Sequence, residues 1–171
     1  MEQLWAPWRM ELIEKGEPSS KGCIFCDLPK ASNDRENLIL GRTERTFAIL
    51  NRFPYNNGHL MVVPRAHVSD LDKLSMEEHQ ELGQMLRVAV RIVGKAYAAQ
   101  GMNLGMNLGR VAGAGIADHC HWHAVPRWDG DTNFMPVLGD VKVMIEHLHA
   151  GWDRLRPLFD TEYTPSGGRP W

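Results

Sequence analysis

The chain has 171 residues, 43% hydrophobic and 23% charged, which fits one domain with a core of its own and excludes wholesale disorder. Nineteen Lys+Arg against twenty-one Asp+Glu leave a formal charge of -2, so no basic surplus points to nucleic acid or an anionic membrane as partner. The longest apolar runs, such as Leu60-Met61-Val62-Val63, are too short to span a bilayer. The N-terminal stretch shows no secretory signal, and three cysteines suit a reducing, cytoplasmic compartment.

The first twenty-two residues, with Leu4-Trp5-Ala6-Pro7-Trp8-Arg9, read as an ordered arm, because two large aromatics are costly to expose. Cys23-Ile24-Phe25-Cys26 is a Cys-x-x-Cys pair, ambiguous by itself between metal, redox and plain thiol. No strand precedes it, as a thioredoxin-like site would need. Asn37 to Leu50 predicts a hairpin turning at Thr43-Glu44-Arg45, and Pro54 to Gly58 a loop. His59 to Val63 is a short buried strand closed by Pro64. Ser75 and Glu78 have capping-box spacing. Leu82, Met85, Leu86, Ala89, Val93 and Tyr97 then recur at helical spacing, predicting a helix over 76–99.

Gly101 and the repeated Met-Asn-Leu-Gly open another strand. Gly109 to Gly115 is a small-residue loop, and 118–126 a strand ended by Pro126. A second amphipathic helix over 140–156 carries Val141, Met144, Ile145, Leu148, Trp152 and Leu155 on one face. Residues 161–171 read as a flexible tail and 1–160 as a single domain. Strands around one long helix predict an α+β domain with a mostly antiparallel sheet.

His119-Cys120-His121-Trp122-His123-Ala124-Val125-Pro126 is the informative segment. On a strand, residues i, i+2 and i+4 share a face, so three imidazoles stand in a row about 7 Å apart. Cys120, Trp122 and Ala124 face the core. Imidazole serves as nucleophile, acid, base or ligand near neutral pH. A His-x-His-x-His row therefore admits catalysis, metal binding or a solvated face. Gly113-Ala114-Gly115-Ile116 lets backbone N–H groups approach an anion, which favours a phosphate-bearing substrate, though an ordinary tight connection looks the same. His79, His147 and His149 read as solvated surface. Arg127 would meet either phosphate or an acidic neighbour, and Trp128 either a base or a subunit contact.

The run His119 to Val125, Phe47 to Asn51, Asn57-Gly58-His59-Leu60, and Pro64 with His67 together resemble the histidine-triad superfamily. Leu4 to Arg9, Gly113-Ala114-Gly115, and Val125-Pro126-Arg127-Trp128 with Gly130 to Phe134 narrow this to the bacterial diadenosine-tetraphosphate phosphorylase branch. That branch is similar in fold to the Fhit-type hydrolases. The resemblance implies a sheet of about five strands with one long and one C-terminal helix. It implies that His121 attacks the α-phosphorus to form a nucleotidyl-histidine, that His123 contacts the phosphate or leaving oxygen, and that His59 supports the triad. It implies Asn51 on the ribose, Asn107 and Arg127 toward phosphate, and the backbone of Gly113, Gly115 and Ile116 around the phosphoryl oxygens. In its zinc-bearing members a Pro-x-x-His site and the first triad histidine complete the Cys pair. Here that implies structural zinc on Cys23, Cys26, His67 and His119, with no organic cofactor. The implied partners are a dinucleoside polyphosphate, inorganic phosphate as acceptor, and a second copy of the chain. Water as acceptor, a Hint-like phosphoramidase and a non-enzymatic nucleotide-binding module are the competing readings.

Overall fold

The computed structural model describes residues 22–131 and 143–162. The expected N-terminal arm, the Thr132 to Phe134 motif and most of the expected tail lie outside them. Five strands form one antiparallel sheet: β1 (Ile39–Arg42), β2 (Thr46–Leu50), β3 (Leu60–Pro64), β4 (Gly101–Met106) and β5 (Trp122–Arg127), in the order β1-β2-β3-β5-β4. Among the described residues three α-helices accompany it: α1 (Ile24–Asp27), α2 (Met76–Ala96) and α3 (Leu148–Glu162). The α+β expectation holds, with the sheet as its spine.

β2 and β3 are buried along their full lengths, which is why Thr46–Leu50 and Leu60–Pro64 read as apolar runs rather than alternating ones. The hairpin β1–β2 turns where the polar Thr43-Glu44-Arg45 predicted, and the Thr43 hydroxyl donates to Thr46 O at 3.0 Å. α2 starts at the capping box. Ser75 Oγ accepts from the Glu78 N–H and the Glu78 carboxylate accepts from the Ser75 N–H. Leu82, Met85, Val88, Ala89, Ile92 and Val93 form its buried stripe.

α2 ends three residues short of the expected 99. The Ala99 N–H donates to Gly94 O and the Ala98 N–H to Lys95 O, the paired bonds of a Schellman turn. That turn puts Ala98 at φ 47, in the left-handed region, where a glycine would ordinarily have signalled the stop. Ala98→Gly relieves this strain and stabilises the fold by about 0.5–1 kcal/mol, net of the looser unfolded chain. Thermal melting should show a rise of about 1–3 °C.

Two other expectations need correction. The histidine strand begins at Trp122, not 118. The Cys120 N–H donates to Val68 O at 2.7 Å, so residues before 122 are tied to the chain after β3 instead of extending the ladder. Pro126 does not end the strand. Beyond the Leu60–Ala124 pair β3 no longer borders β5, and the Pro126 carbonyl accepts from Asn56 Nδ2 at 3.2 Å. Of the helix expected over 140–156, residues 140–142 lie outside the described ones, 143–147 are not helical, with Ile145 89% exposed, and the helix runs over 148–162. Pro157 lies inside it. Leu155 and Phe159, both fully buried, hold the helix on the core through the missing bond. The Trp152 indole N–H donates to Ile39 O at 2.8 Å, fixing α3 against β1.

Candidate active site

Every histidine expected at the site, with both cysteines, clusters around the entry into β5. They divide into two groups that share one aromatic ring.

The first group is a nitrogen–sulfur cluster. Cys23 stands at the N-cap of the short α1 and Cys26 within it, His67 follows β3, and His119 precedes β5. Their ligand atoms all lie within 4.8 Å of one another. His119 Nδ1 is 3.3 Å from Cys23 Sγ and 3.6 Å from Cys26 Sγ, and His67 Nδ1 is 3.3 Å from Cys26 Sγ. His119 Nε2 is 2.8 Å from Pro64 O. A carbonyl only accepts, so the His119 proton sits on Nε2 and the Nδ1 lone pair faces the sulfurs. Burial holds the His119 imidazole below its ordinary pKa, which keeps that lone pair available. Burial, and then the neighbouring Cys23, push the Cys26 thiol up. Tetrahedral zinc with bonds of about 2.0–2.3 Å sets ligand atoms about 3.3–3.8 Å apart, so the donor set fits and the three sulfur–nitrogen contacts fall in that range. The Arg42 guanidinium, donating to Asp34, Pro29 O and Ala31 O, ties the segment after α1 to β1. Cys120, 2% exposed, is a core thiol as expected.

The second group is His121, His123 and His59. The expected row of three imidazoles is broken. The His121 and His123 rings are neighbours at 4.8 Å, while His119 turns toward His67 at 5.2 Å and Phe25 at 5.4 Å. His121 Nδ1 lies 2.9 Å from His119 O, so Nδ1 carries the proton and Nε2 presents a lone pair. Burial lowers the His121 pKa, keeping that lone pair unprotonated at neutral pH. His59 is fully buried. Its Nδ1 accepts from the Tyr55 backbone N–H at 2.9 Å, so its proton sits on Nε2. From there it donates to His123 Nδ1 at 3.0 Å, which places the His123 proton on Nε2. Backbone groups thus set each ring's tautomer: a free lone pair on His121 beside an N–H donor on His123.

The remaining expected residues fare unequally. Asn51 stands at the site: its Nδ2 is 3.4 Å from His59 Nε2, and its Oδ1 accepts from the Phe53 N–H. Asn107 comes one residue past the Met106–Trp122 pair, and its Nδ2 donates to Gly113 O at 3.3 Å, bracing the loop rather than reaching outward. Gly113 adopts φ 88 as that loop turns back toward the histidines. Gly115 is open, with nothing near a would-be Cβ, and Ile116 packs against the core. Arg127 is a correction. Its guanidinium donates twice to the Asp131 carboxylate, at 2.6 and 2.8 Å, and to Asn103 Oδ1, so the acidic neighbour wins over phosphate. It also stands four residues beyond His123, about 13 Å along the strand. Trp128 donates its indole N–H to Tyr97 O at 3.1 Å, capping the end of α2. His79 is half-buried, 2.8 Å from Leu71 O, not simply solvated as expected, whereas His147 and His149 are exposed.

Phe25 and Tyr55 were not singled out in the sequence. Phe25, between the two cysteines and 2% exposed, lies 4.8 Å from the His121 ring and 6.5 Å from Phe47. It is the ring shared by the two groups. An aromatic inside a Cys-x-x-Cys was its only signal.

Gly58, at φ 75, precedes His59, and a Cβ there would meet the Tyr97 ring at 2.7 Å. Gly58→Ala combines left-handed strain with that clash and should cost about 2–3 kcal/mol in urea unfolding. Turnover per folded molecule falls with it, because His59 is displaced from His123.

A HIT domain model matches residues 32–130. An AP-4-A phosphorylase of Mycobacterium tuberculosis is 40% identical over 155 residues, covering 86% of this chain and 79% of its own. Among solved structures, a hypothetical histidine triad nucleotide-binding protein from Sulfolobus tokodaii aligns with TM-score 0.68 at 24% identity, covering 87% of this chain and 99% of that one. A Zn-bound histidine triad family protein from Mycobacterium smegmatis aligns with TM-score 0.64 at 23% identity, covering 81% and 93%.

Proposed function

The chain belongs to the HIT-domain family and is an enzyme of that family, and on that footing we propose that it cleaves dinucleoside polyphosphates through a nucleotidyl-His121. The observation that carries the reading is the protonation pattern. His121 Nε2 has a lone pair because Nδ1 donates to His119 O, and the neighbouring His123 holds an N–H donor. The substrate class follows the mycobacterial relative, with diadenosine tetraphosphate first.

In the first step His121 Nε2 forms a bond to the α-phosphorus as the bond to the bridging oxygen breaks, releasing ATP. The imidazole gains positive charge. The His119 carbonyl, already accepting from Nδ1–H, stabilises it. The His123 Nε2–H hydrogen-bonds the departing oxygen without giving up its proton, since a polyphosphate leaves as an anion. In the second step an oxygen of inorganic phosphate attacks the same phosphorus, the N–P bond breaks, and ADP leaves. Asn51 would contact the ribose, and the backbone around Gly113 and the open Gly115 would meet the phosphoryl oxygens. Splitting the displacement in two makes His121 the nucleophile of the first half and the leaving group of the second.

Zinc on Cys23, Cys26, His67 and His119 is part of the proposal. When bound it would fasten α1 to the histidine segment, and its four protein ligands would leave no position for substrate. Reduced thiols suit a cytoplasmic setting. Residues 1–160 would act as one domain, with 161–171 as its tail. β4, an edge strand with Leu104 48% exposed, would pair with a second copy, as an open edge favours. Sedimentation giving only a 19.4 kDa species would remove the dimer.

Incubating the protein with diadenosine tetraphosphate, with and without inorganic phosphate, tests the reaction. ADP plus ATP formed only with phosphate supports phosphorolysis. AMP plus ATP without phosphate makes it a hydrolase, and no turnover in either condition contradicts the dinucleoside reading.

A further inference from the structure

We infer that Tyr55 is a positioning residue whose ring seats the His59–His123 pair and keeps water off the hydrogen bond between them. The Tyr55 ring lies 4.6 Å from the His59 ring, tilted 37°, and 6.0 Å from the His123 ring, stacked at 30°. One side chain therefore faces both partners of the 3.0 Å bond. The same residue donates its backbone N–H to His59 Nδ1. The two contacts do different work. The N–H dictates which His59 nitrogen carries the proton. The ring holds the two imidazoles where that proton can reach His123.

The surroundings explain why a flat side chain is needed here. Tyr55 sits in the loop between β2 and β3, which is pinned at both ends of the turn. The Asn51 N–H donates to His59 O, and Asn56 Nδ2 donates to Pro126 O and Asp131 Oδ2. Tyr55 itself is 41% exposed, so it forms the outer wall over a fully buried His59. Without the ring, water would compete for His59 Nε2–H and for His123 Nδ1. The His123 proton would then distribute over both nitrogens, and the donor aimed at the leaving oxygen would be present only part of the time. A hydrogen bond shielded from water is stronger than an exposed one, and the shielding is what a stacked aromatic supplies.

This inference rests on the role given to His123 above, so its test has one arm that needs no substrate. Nitrogen-15 imidazole spectra of the full chain should show His59 and His123 each as a single Nε2–H tautomer. In Tyr55→Ala His123 should become a mixture, with His121 unchanged. Turnover should fall about tenfold, in kcat rather than KM, a fraction of what positioned proton donors contribute. Tyr55→Phe should keep the single tautomer and most of the activity, showing that the ring and not the hydroxyl acts. If Tyr55→Ala does not fold, Tyr55→Leu, which keeps bulk but no flat face, should give the same tautomer mixture. An unchanged His123 tautomer in a folded ring-deleted variant overturns the inference, whatever the substrate proves to be. So does equal loss in Tyr55→Phe. Absence of dinucleoside turnover in the wild type would instead strike the proposed function and leave the spectra to decide Tyr55.

Discussion

Replacing His121 with glutamine should lower turnover by on the order of 10⁴-fold or more while the fold and nucleotide binding persist. Glutamine keeps a donor for the His119 carbonyl, which His121 Nδ1 meets at 2.9 Å, and nearly fills the space beside Phe25. What it cannot supply is the Nε2 lone pair. The loss belongs in kcat, because the interaction removed is made only in the reaction. Steady-state rates and calorimetric titration with AMP check both halves of the expectation. If the variant turned over within tenfold of wild type, His121 would not be the nucleophile, and the chemistry assigned to this site would be wrong.

Stripping metal from the cluster, or replacing Cys26 with serine, should lower stability by about 2–4 kcal/mol and the melting midpoint by about 5–15 °C. α1 is four residues long and cannot hold itself. Its cysteines, with His67 and His119, would anchor it together with the Arg42 bonds to the segment that follows, and Phe25 rides on this short helix. Releasing α1 exposes that ring and frees the face of His121 on which it rests, so activity should fall along with stability. Phe25 is one member of a much larger core shared by the sheet, α2 and α3, so that core should survive its loss, leaving a folded protein with a loosened site. Metal analysis of the purified chain, followed by melting with and without a chelator, measures this. One zinc per chain and a chelator-dependent drop are expected. A chain that binds no zinc, or melts identically after chelation, would refute the structural role.

Much of this was legible in the sequence because local signals and tertiary demands agreed. The hairpin's apolar Leu38-Ile39-Leu40 and Phe47-Ala48-Ile49-Leu50 flanked a polar turn, and Ser75 with Glu78 fixed the start of α2. The four sulfur and nitrogen ligands were placed by resemblance, and the structure brings them together. The failures are equally specific. The alternation of His119, His121 and His123 spoke for one continuous strand, but the Cys120 amide pairs with Val68, and His119 is turned away into the sulfur cluster. Sequence period records which residues could share a face. It does not record a ladder broken by a competing partner. Arg127 could have met phosphate or an acidic neighbour, and only the fold shows Asp131, four residues on, holding its guanidinium. The stop of α2 was missed because Ala98 occupies the left-handed turn without a glycine to mark it. Pro157 gave no sign that α3 would run through it, since Leu155 and Phe159 win by packing. Phe25 and Tyr55 carry no local signal of their roles: Phe25 meets His119 and His121 far along the chain, and Tyr55 meets His123 as well as its near neighbour His59.

The most direct test of the central claim is to look for the covalent intermediate. The chain would be mixed with diadenosine tetraphosphate without inorganic phosphate, quenched under alkaline conditions that preserve a phosphoramidate, and examined by intact and peptide mass spectrometry. One adenylyl group per chain on His121, discharged as ADP when inorganic phosphate is added before the quench, is the predicted result. An adenylyl group on His119 or His123, or turnover with no adenylated protein at any time, would contradict the account.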